Sequence, residues 1–249
     1  MPLNRLFYGL IVLMLALPIL ASPAGAQIAG DDKRAIQEIV RQYILDNPEI
    51  IAEAIARLRQ RGREARAQLQ QRARTDNAAR IFDNPLTPEM GNPNGDVTVV
   101  EFFDYQCGYC KQVFPIFKKV IESDKNLRVL MKELPILGPV SRFAARASMA
   151  AEKQGLYFPY HIALMELNGR LTEKKVIATA RKVGLDIEKL VKDMADPAID
   201  AYLDQTVELA QLLGINGTPA FLFGNQLVPG AINEDQMRAF IAAARRPKS

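Results

Sequence analysis

Two cysteines, Cys107 and Cys110, stand two residues apart where one kind of sequence pattern gives way to another. Before them runs an apolar stretch, Val97 to Phe103, interrupted only by Thr98 and Glu101. After them a helical pattern continues to about Glu122, with a kink expected at Pro115. A two-residue gap at a strand-to-helix junction brings two sulfurs into bonding range at the start of a helix. The free N–H groups and the macrodipole there favour a thiolate. Such a pair suits exchange of disulfides with other proteins.

These are the only cysteines in 249 residues, and His161 is the only histidine. A tetrahedral zinc site wants about four Cys, His or carboxylate ligands, so a metal role is disfavoured. A structural bridge across so short a loop would add little stability, and a chain of this length can bury a core without staples. Lys and Arg number 32 against 28 Asp and Glu, for a formal charge of +4. The signs are interspersed apart from an excess between Arg57 and Arg80. No aromatic-interleaved basic patch suggests nucleic acid as a partner.

The N-terminus reads as an export signal. Arg5 supplies the positive charge, Leu6 to Leu20 the apolar stretch, and Ala24-Gly25-Ala26 a small-residue cleavage site. Residues 1–26 are therefore expected to be removed, with the mature chain starting near Gln27. An uncleaved anchor is the alternative, but the apolar stretch is short for a span of about 20 residues.

From 27 to 82 the pattern is helical. Ile36, Ile39, Val40, Tyr43 and Ile44 recur at helical spacing, and Ile51, Ile55, Leu58, Ala65 and Leu69 continue the seam. Asn47-Pro48 marks a break, with Asn47 expected to cap a second helix. One isolated helix cannot bury so long a seam, which points to an arm that pairs with another copy. Residues 83–95, rich in Pro, Gly and Asn, read as a linker, with a short strand expected near Ile81-Phe82.

The remainder, 83–249, reads as an α/β domain. Strands are expected at Val97–Phe103, Leu127–Leu134, Pro219–Phe223 and Gln226–Val228, with a turn at Gly224-Asn225. A block of helices fills about 138–195, another helix follows Asp196-Pro197, and Asn233 caps the last. A parallel strand–helix–strand unit, an antiparallel hairpin and a closing helix make a thioredoxin-like fold. The block is a helical insertion within it.

Glu101-Phe102-Phe103-Asp104-Tyr105-Gln106-Cys107-Gly108-Tyr109-Cys110 resembles the strand and active-site motif of the DsbA-like oxidoreductases of the thioredoxin superfamily. Gly214-Ile215-Asn216-Gly217-Thr218-Pro219-Ala220-Phe221 resembles the loop that carries their cis-proline. The helical arm and Leu134-Pro135-Ile136-Leu137-Gly138 are similar to the ScsC branch. The resemblance implies a periplasmic enzyme acting on protein thiols or disulfides. Its only redox group would be the Cys107–Cys110 pair, with no further cofactor and no metal. A membrane partner would recycle the pair, and the arm would join copies into a homo-oligomer, a trimer by the ScsC comparison.

Particular residues acquire expected roles. Cys107 would be the exposed nucleophile and Cys110 the more buried thiol that releases the substrate. Gly108 and Tyr109 would shape the surface around the sulfur. The Thr218–Pro219 bond would be cis, turning the Thr218 backbone toward an extended substrate. Glu101 would be a buried acid relaying the Cys110 proton, or else a solvent-facing strand-end carboxylate. Lys132 is expected on the surface, with a cross-strand pair to Glu101 as the alternative. His161 is assigned a structural role. An isomerase or reductase built as an oligomer is the favoured activity. The other readings are a monomeric DsbA-type oxidase and an unfolded-protein-binding module with a static bridge.

Overall fold

The computed structural model describes residues 30–246. The expected signal segment and its cleavage site lie outside the described residues. The chain divides after Gln60 into two units, residues 1–60 and 61–249.

In the first unit, α1 (Gly30–Asp46) is followed by the start of α2 (Glu49–Asp76). Asn47 closes α1 instead of capping α2. Its backbone N–H and its side-chain amide both donate to the Tyr43 carbonyl, at 3.0 and 2.8 Å. Pro48 then fits the entry to α2 because its missing N–H has no helical partner there. The apolar positions of α1 and early α2, among them Ile36, Val40, Tyr43 and Leu58, are exposed.

The arm expected over 27–82 does not remain one body to its end. The last turns of α2 belong to the second unit, where Ala73 packs against a buried cluster that contains Ile81. Residues expected to form a strand at Ile81-Phe82 instead form a short helix, α3 (Ala78–Phe82). The strand lies further on, as β1 (Glu89–Gly91), inside the segment read as a linker.

Next come β2 (Val97–Phe103), α4 (Gly108–Ser123) and β3 (Leu127–Glu133). The helical insertion follows as α5 (Pro139–Glu152), α6 (Tyr157–Met165), α7 (Glu173–Lys182) and α8 (Ile187–Met194). After α9 (Pro197–Leu212) the chain closes with β4 (Ala220–Phe223), β5 (Gln226–Pro229) and α10 (Glu234–Arg245).

The five strands order as β1-β3-β2-β4-β5. β2 and β3 run parallel, with Val97 opposite Leu127 and Phe103 opposite Glu133. A parallel pair needs a crossover, which α4 supplies. The other pairings are antiparallel. Two short strands form the sheet edges, and β5 ends in Pro229.

Strand alternation sorts β2 between two apolar layers. Val97, Val99 and Phe103 join α4, α10 and the insertion in the larger core. Val100 and Phe102 join Ile81, Leu209 and Leu213 on the opposite face. Glu101 therefore points to the face that carries α4. α5 begins at Pro139 directly after Gly138, whose φ of +121° a residue with a Cβ rarely adopts.

Candidate active site

Cys107 is the N-cap of α4, in extended backbone, and its sulfur accepts the Cys110 N–H at 3.3 Å. The Cys107 thiol donates to the Thr218 carbonyl at 3.2 Å. Its pKa is lowered to about 6, first by the Cys110 thiol hydrogen bond and against the cost of burial, with further help from the Thr218 side chain, as distinct from its carbonyl, and from the backbone N–H groups of Cys110 and Tyr109. The Cys110 thiol is pushed far up by burial, then by its bond to Cys107 and the nearby Glu101 charge. One sulfur is thus ready to ionise at neutral pH and its neighbour is not.

The expectation of an exposed Cys107 is corrected: only 5% of it is accessible, and Cys110 is fully buried. The exposed groups are those between them. Tyr109 stands 67% exposed, and a Cβ added at Gly108 would meet no heavy atom within 4 Å. The Thr218 carbonyl lies against the Cys107 sulfur and contributes to its burial. The Thr218–Pro219 peptide bond is cis.

Asp104 fixes the approach to the cysteines. Its carboxylate accepts the Gln106 N–H at 2.7 Å, the Ser141 hydroxyl at 2.7 Å and the Leu137 N–H at 3.0 Å. The cysteine turn is thereby tied to the loop before α5. The Gln106 side chain adds bonds to the Leu137 carbonyl and the Ser141 hydroxyl.

Glu101 is fully buried, and neither carboxyl oxygen has a hydrogen-bond partner among the described residues. Burial, and secondarily the Cys107 charge, raise its pKa to about 8. A strand-end carboxylate in solvent is excluded. Lys132 corrects both expectations made for it. It is buried, not on the surface, and it does not pair with Glu101. Opposite Phe102 in the register, it projects to the other face, where its ammonium donates to the Arg80 carbonyl at 2.9 Å and to the Thr87 hydroxyl at 2.7 Å.

A second buried polar group escaped sequence reasoning. Glu133 accepts the hydroxyls of Tyr105 and Tyr157 on one oxygen, at 2.9 and 2.8 Å. Tyr105 also meets His161 Nδ1 at 2.9 Å. His161 is enclosed by Phe103, Phe114 and Tyr157, and burial lowers its pKa to about 3. It stays neutral. The signal available was Glu133 closing an apolar strand, with a tyrosine two residues before the first cysteine.

This geometry can carry out thiol–disulfide exchange, and the sequence matches bear on the same residues. The description "DSBA-like thioredoxin domain" matches residues 98–242, which include both cysteines and the Thr218–Pro219 loop. The chain belongs to the DsbA-like thioredoxin-domain family. Residues 32–65 of this DsbA-like chain match the N-terminal domain of the copper resistance protein ScsC.

A thioredoxin-like oxidoreductase from Silicibacter pomeroyi is similar in structure, with 45% identity and a TM-score of 0.67, covering 68% of this chain and 98% of that one. A linker-deletion variant of Proteus mirabilis ScsC is 25% identical with a TM-score of 0.66, covering 89% of this chain and 98% of that one. Among curated proteins, the Na(+)/H(+) antiporter NhaA 1 of Salinispora arenicola is 28% identical over 166 residues. That match takes in 64% of this chain and 26% of the antiporter, so the chain spans about a quarter of that relative's length. The family and fold are those of thiol–disulfide oxidoreductases. Among the described residues, no helix is long and apolar enough to cross a membrane.

Proposed function

We propose that this chain is a periplasmic protein-disulfide isomerase and reductase that works as a homo-oligomer, a trimer joined through residues 27–60. The observation that carries the redox part is the contrast between the two thiols. Cys107 ionises near pH 6 while Cys110 is held protonated.

The Cys107 thiolate attacks one sulfur of a client disulfide. A mixed disulfide forms and the client's other sulfur leaves as a thiolate. In isomerisation a different client thiolate then attacks the mixed disulfide, Cys107 leaves as thiolate, and no electrons are gained or lost. In reduction Cys110 attacks the Cys107 sulfur. Two electrons then pass to the client, which leaves with two thiols, and the pair becomes a disulfide. Cys110 must lose its proton for that step, and Glu101 is the relay, by way of water. A membrane redox partner returns two electrons to the pair. The chemistry needs no metal or organic cofactor beyond the cysteines. Thr218, beside Pro219, pairs with an extended client segment as an added strand, while Gly108 and Tyr109 shape the opening over the sulfur.

The exposed apolar positions of α1 support the oligomer, because contact with other copies would remove them from water. Copies joined in this way would hold a tethered client among several active sites at high effective concentration. A dithiol oxidase is the second reading. It is favoured by the low Cys107 pKa, since a stabilised thiolate stabilises the reduced pair and so makes its disulfide more oxidising.

The test combines refolding of a scrambled multi-disulfide protein with a redox equilibrium against glutathione. Recovery of native pairing by the reduced protein supports isomerisation. Failure there, together with rapid oxidation of a dithiol peptide, supports the oxidase. Cys107→Ala should abolish either activity, and Cys110→Ser should accumulate mixed disulfides with client.

A further inference from the structure

A cavity of about 700 Å³ lies within the second unit, against the Thr218–Pro219 loop. Its walls are the loop from Gly214, the edge strand β5 and the last turns of α2, which contribute Gln70 and Arg74. Gln70 lies close against the loop. Its amide nitrogen would be 3.3 Å from a Cβ built at Gly214, where φ is +74°.

The lining is mixed in character. Ile215 and Leu227 are apolar, Asn216 and Gln226 offer amides, and no lining residue is acidic. Its only cation is Arg74. Arg74 Nε is buried without a partner, and Nη2 donates only to the neutral Gln71 side chain, at 2.8 Å. Several partly buried arginines of this unit rest on carboxylates, among them Arg80 on Glu208, Arg128 on Glu89, Arg142 on Asp200 and Arg245 on Asp124. Arg74 has no such carboxylate among the described residues. A guanidinium stays charged and presents a planar fork suited to carboxylate.

We propose that this cavity extends the client groove beyond Thr218, and that Arg74 takes the carboxylate of an acidic side chain near the client's reacting cysteine. The inference rests on the thiol–disulfide exchange proposed above. Continuity decides for a polypeptide, because Thr218 and Pro219 line the same cavity. A segment held beside the Cys107 sulfur therefore has the cavity as its path, and the amides and apolar patches suit a peptide better than a small ion. Arg74 would act as a specificity-determining residue.

The test uses the full chain and a series of disulfide-linked peptides with Glu or Gln at each position flanking the reacting cysteine. The readout is the ratio of kcat/KM for the Glu and Gln members. Wild type should favour Glu about tenfold at one or two positions, the size of one charge-assisted hydrogen bond. Arg74→Gln should bring that ratio to one and Arg74→Lys should keep part of it. Arg66→Gln, exposed on the same helix, should leave it as in wild type. A wild-type ratio of one at every position overturns the inference, as does a preference that survives Arg74→Gln. If wild type reduces none of the peptides, the exchange activity itself fails, and this inference falls with it.

Discussion

The backbone N–H of Cys110 points at the Cys107 sulfur from 3.3 Å, so Cys110 stabilises a negative charge on its neighbour. The same residue thus serves Cys107 through its backbone, while its own thiol stays buried and protonated.

That relationship predicts the pH profile of reactivity. Alkylation of the reduced protein should rise with a midpoint near pH 6 and involve one thiol, with Cys107→Ser abolishing the transition. Stability should follow the same ionisation. The folded pKa lies below the ordinary value of 9.0, so the contribution is present above pH 9 and is lost as pH falls through 6. The oxidised protein should lack this dependence. Thiolate absorbance and denaturant midpoints from pH 4 to 10 would check both, and two equally reactive thiols would contradict the assignment.

Glu101 predicts a gain of stability with a loss of turnover. Its folded pKa of about 8 lies above the usual 4.5, so stability is lost as pH rises through that window. At pH 7 the cost is about 3 kcal/mol, taking about 1.4 kcal/mol for each pH unit above the usual pKa. Glu101→Leu should recover most of it and flatten the profile between pH 5 and 8. The same variant should prolong the mixed disulfide, because Cys110 loses its proton acceptor. Urea titrations and rapid-quench gels read the two effects separately. Unchanged release kinetics would remove Glu101 from the mechanism.

Glu133 predicts coupled losses. Tyr105→Phe and Tyr157→Phe each remove one donor from a buried carboxyl, and each should cost about 1–3 kcal/mol. The double variant should depart from additivity by about 0.5 kcal/mol or more, since both phenols share one oxygen. A double-mutant cycle in urea measures this, and strict additivity would argue against a shared acceptor.

Ile36 and Val40 predict the assembly. Replacing both with Lys should convert an oligomer to single copies by light scattering, and recovery of scrambled substrate should fall with it. The Cys107 titration should stay unchanged, since the residues that tune it all lie in the second unit. A wild-type chain that already scatters as a monomer would remove the basis for the isomerase.

What could be read from residues alone followed local chemistry. The run Val97–Phe103 became β2 because it is apolar on both faces, as a central strand must be. Asn233 was legible as a cap, and with Gln236 it closes a full capping box on α10. The errors have one physical origin, which is dependence on distant partners. β1 is three residues long and exists because Glu89–Gly91 meet Arg128–Leu130. Lys132 is buried because the Arg80 carbonyl and the Thr87 hydroxyl come from far along the chain to meet it. Helical periodicity ran unbroken past Gln60, yet from Ala73 onward the apolar side of the arm is covered by the sheet domain, which no period could reveal. Burial of Cys107 depends on a loop that begins more than a hundred positions later.

The borders of the sheet carry a further meaning for the proposed action on incompletely folded chains. A long free border would recruit any sticky β-prone segment and seed aggregates. Here one margin is three residues ending at Gly91 and the other is four residues ending at Pro229, which has no N–H to offer. On the proposed function, clients would find little free border to zip onto permanently, and would be held instead at the Thr218 loop and the cavity that continues from it, where release is built into the chemistry.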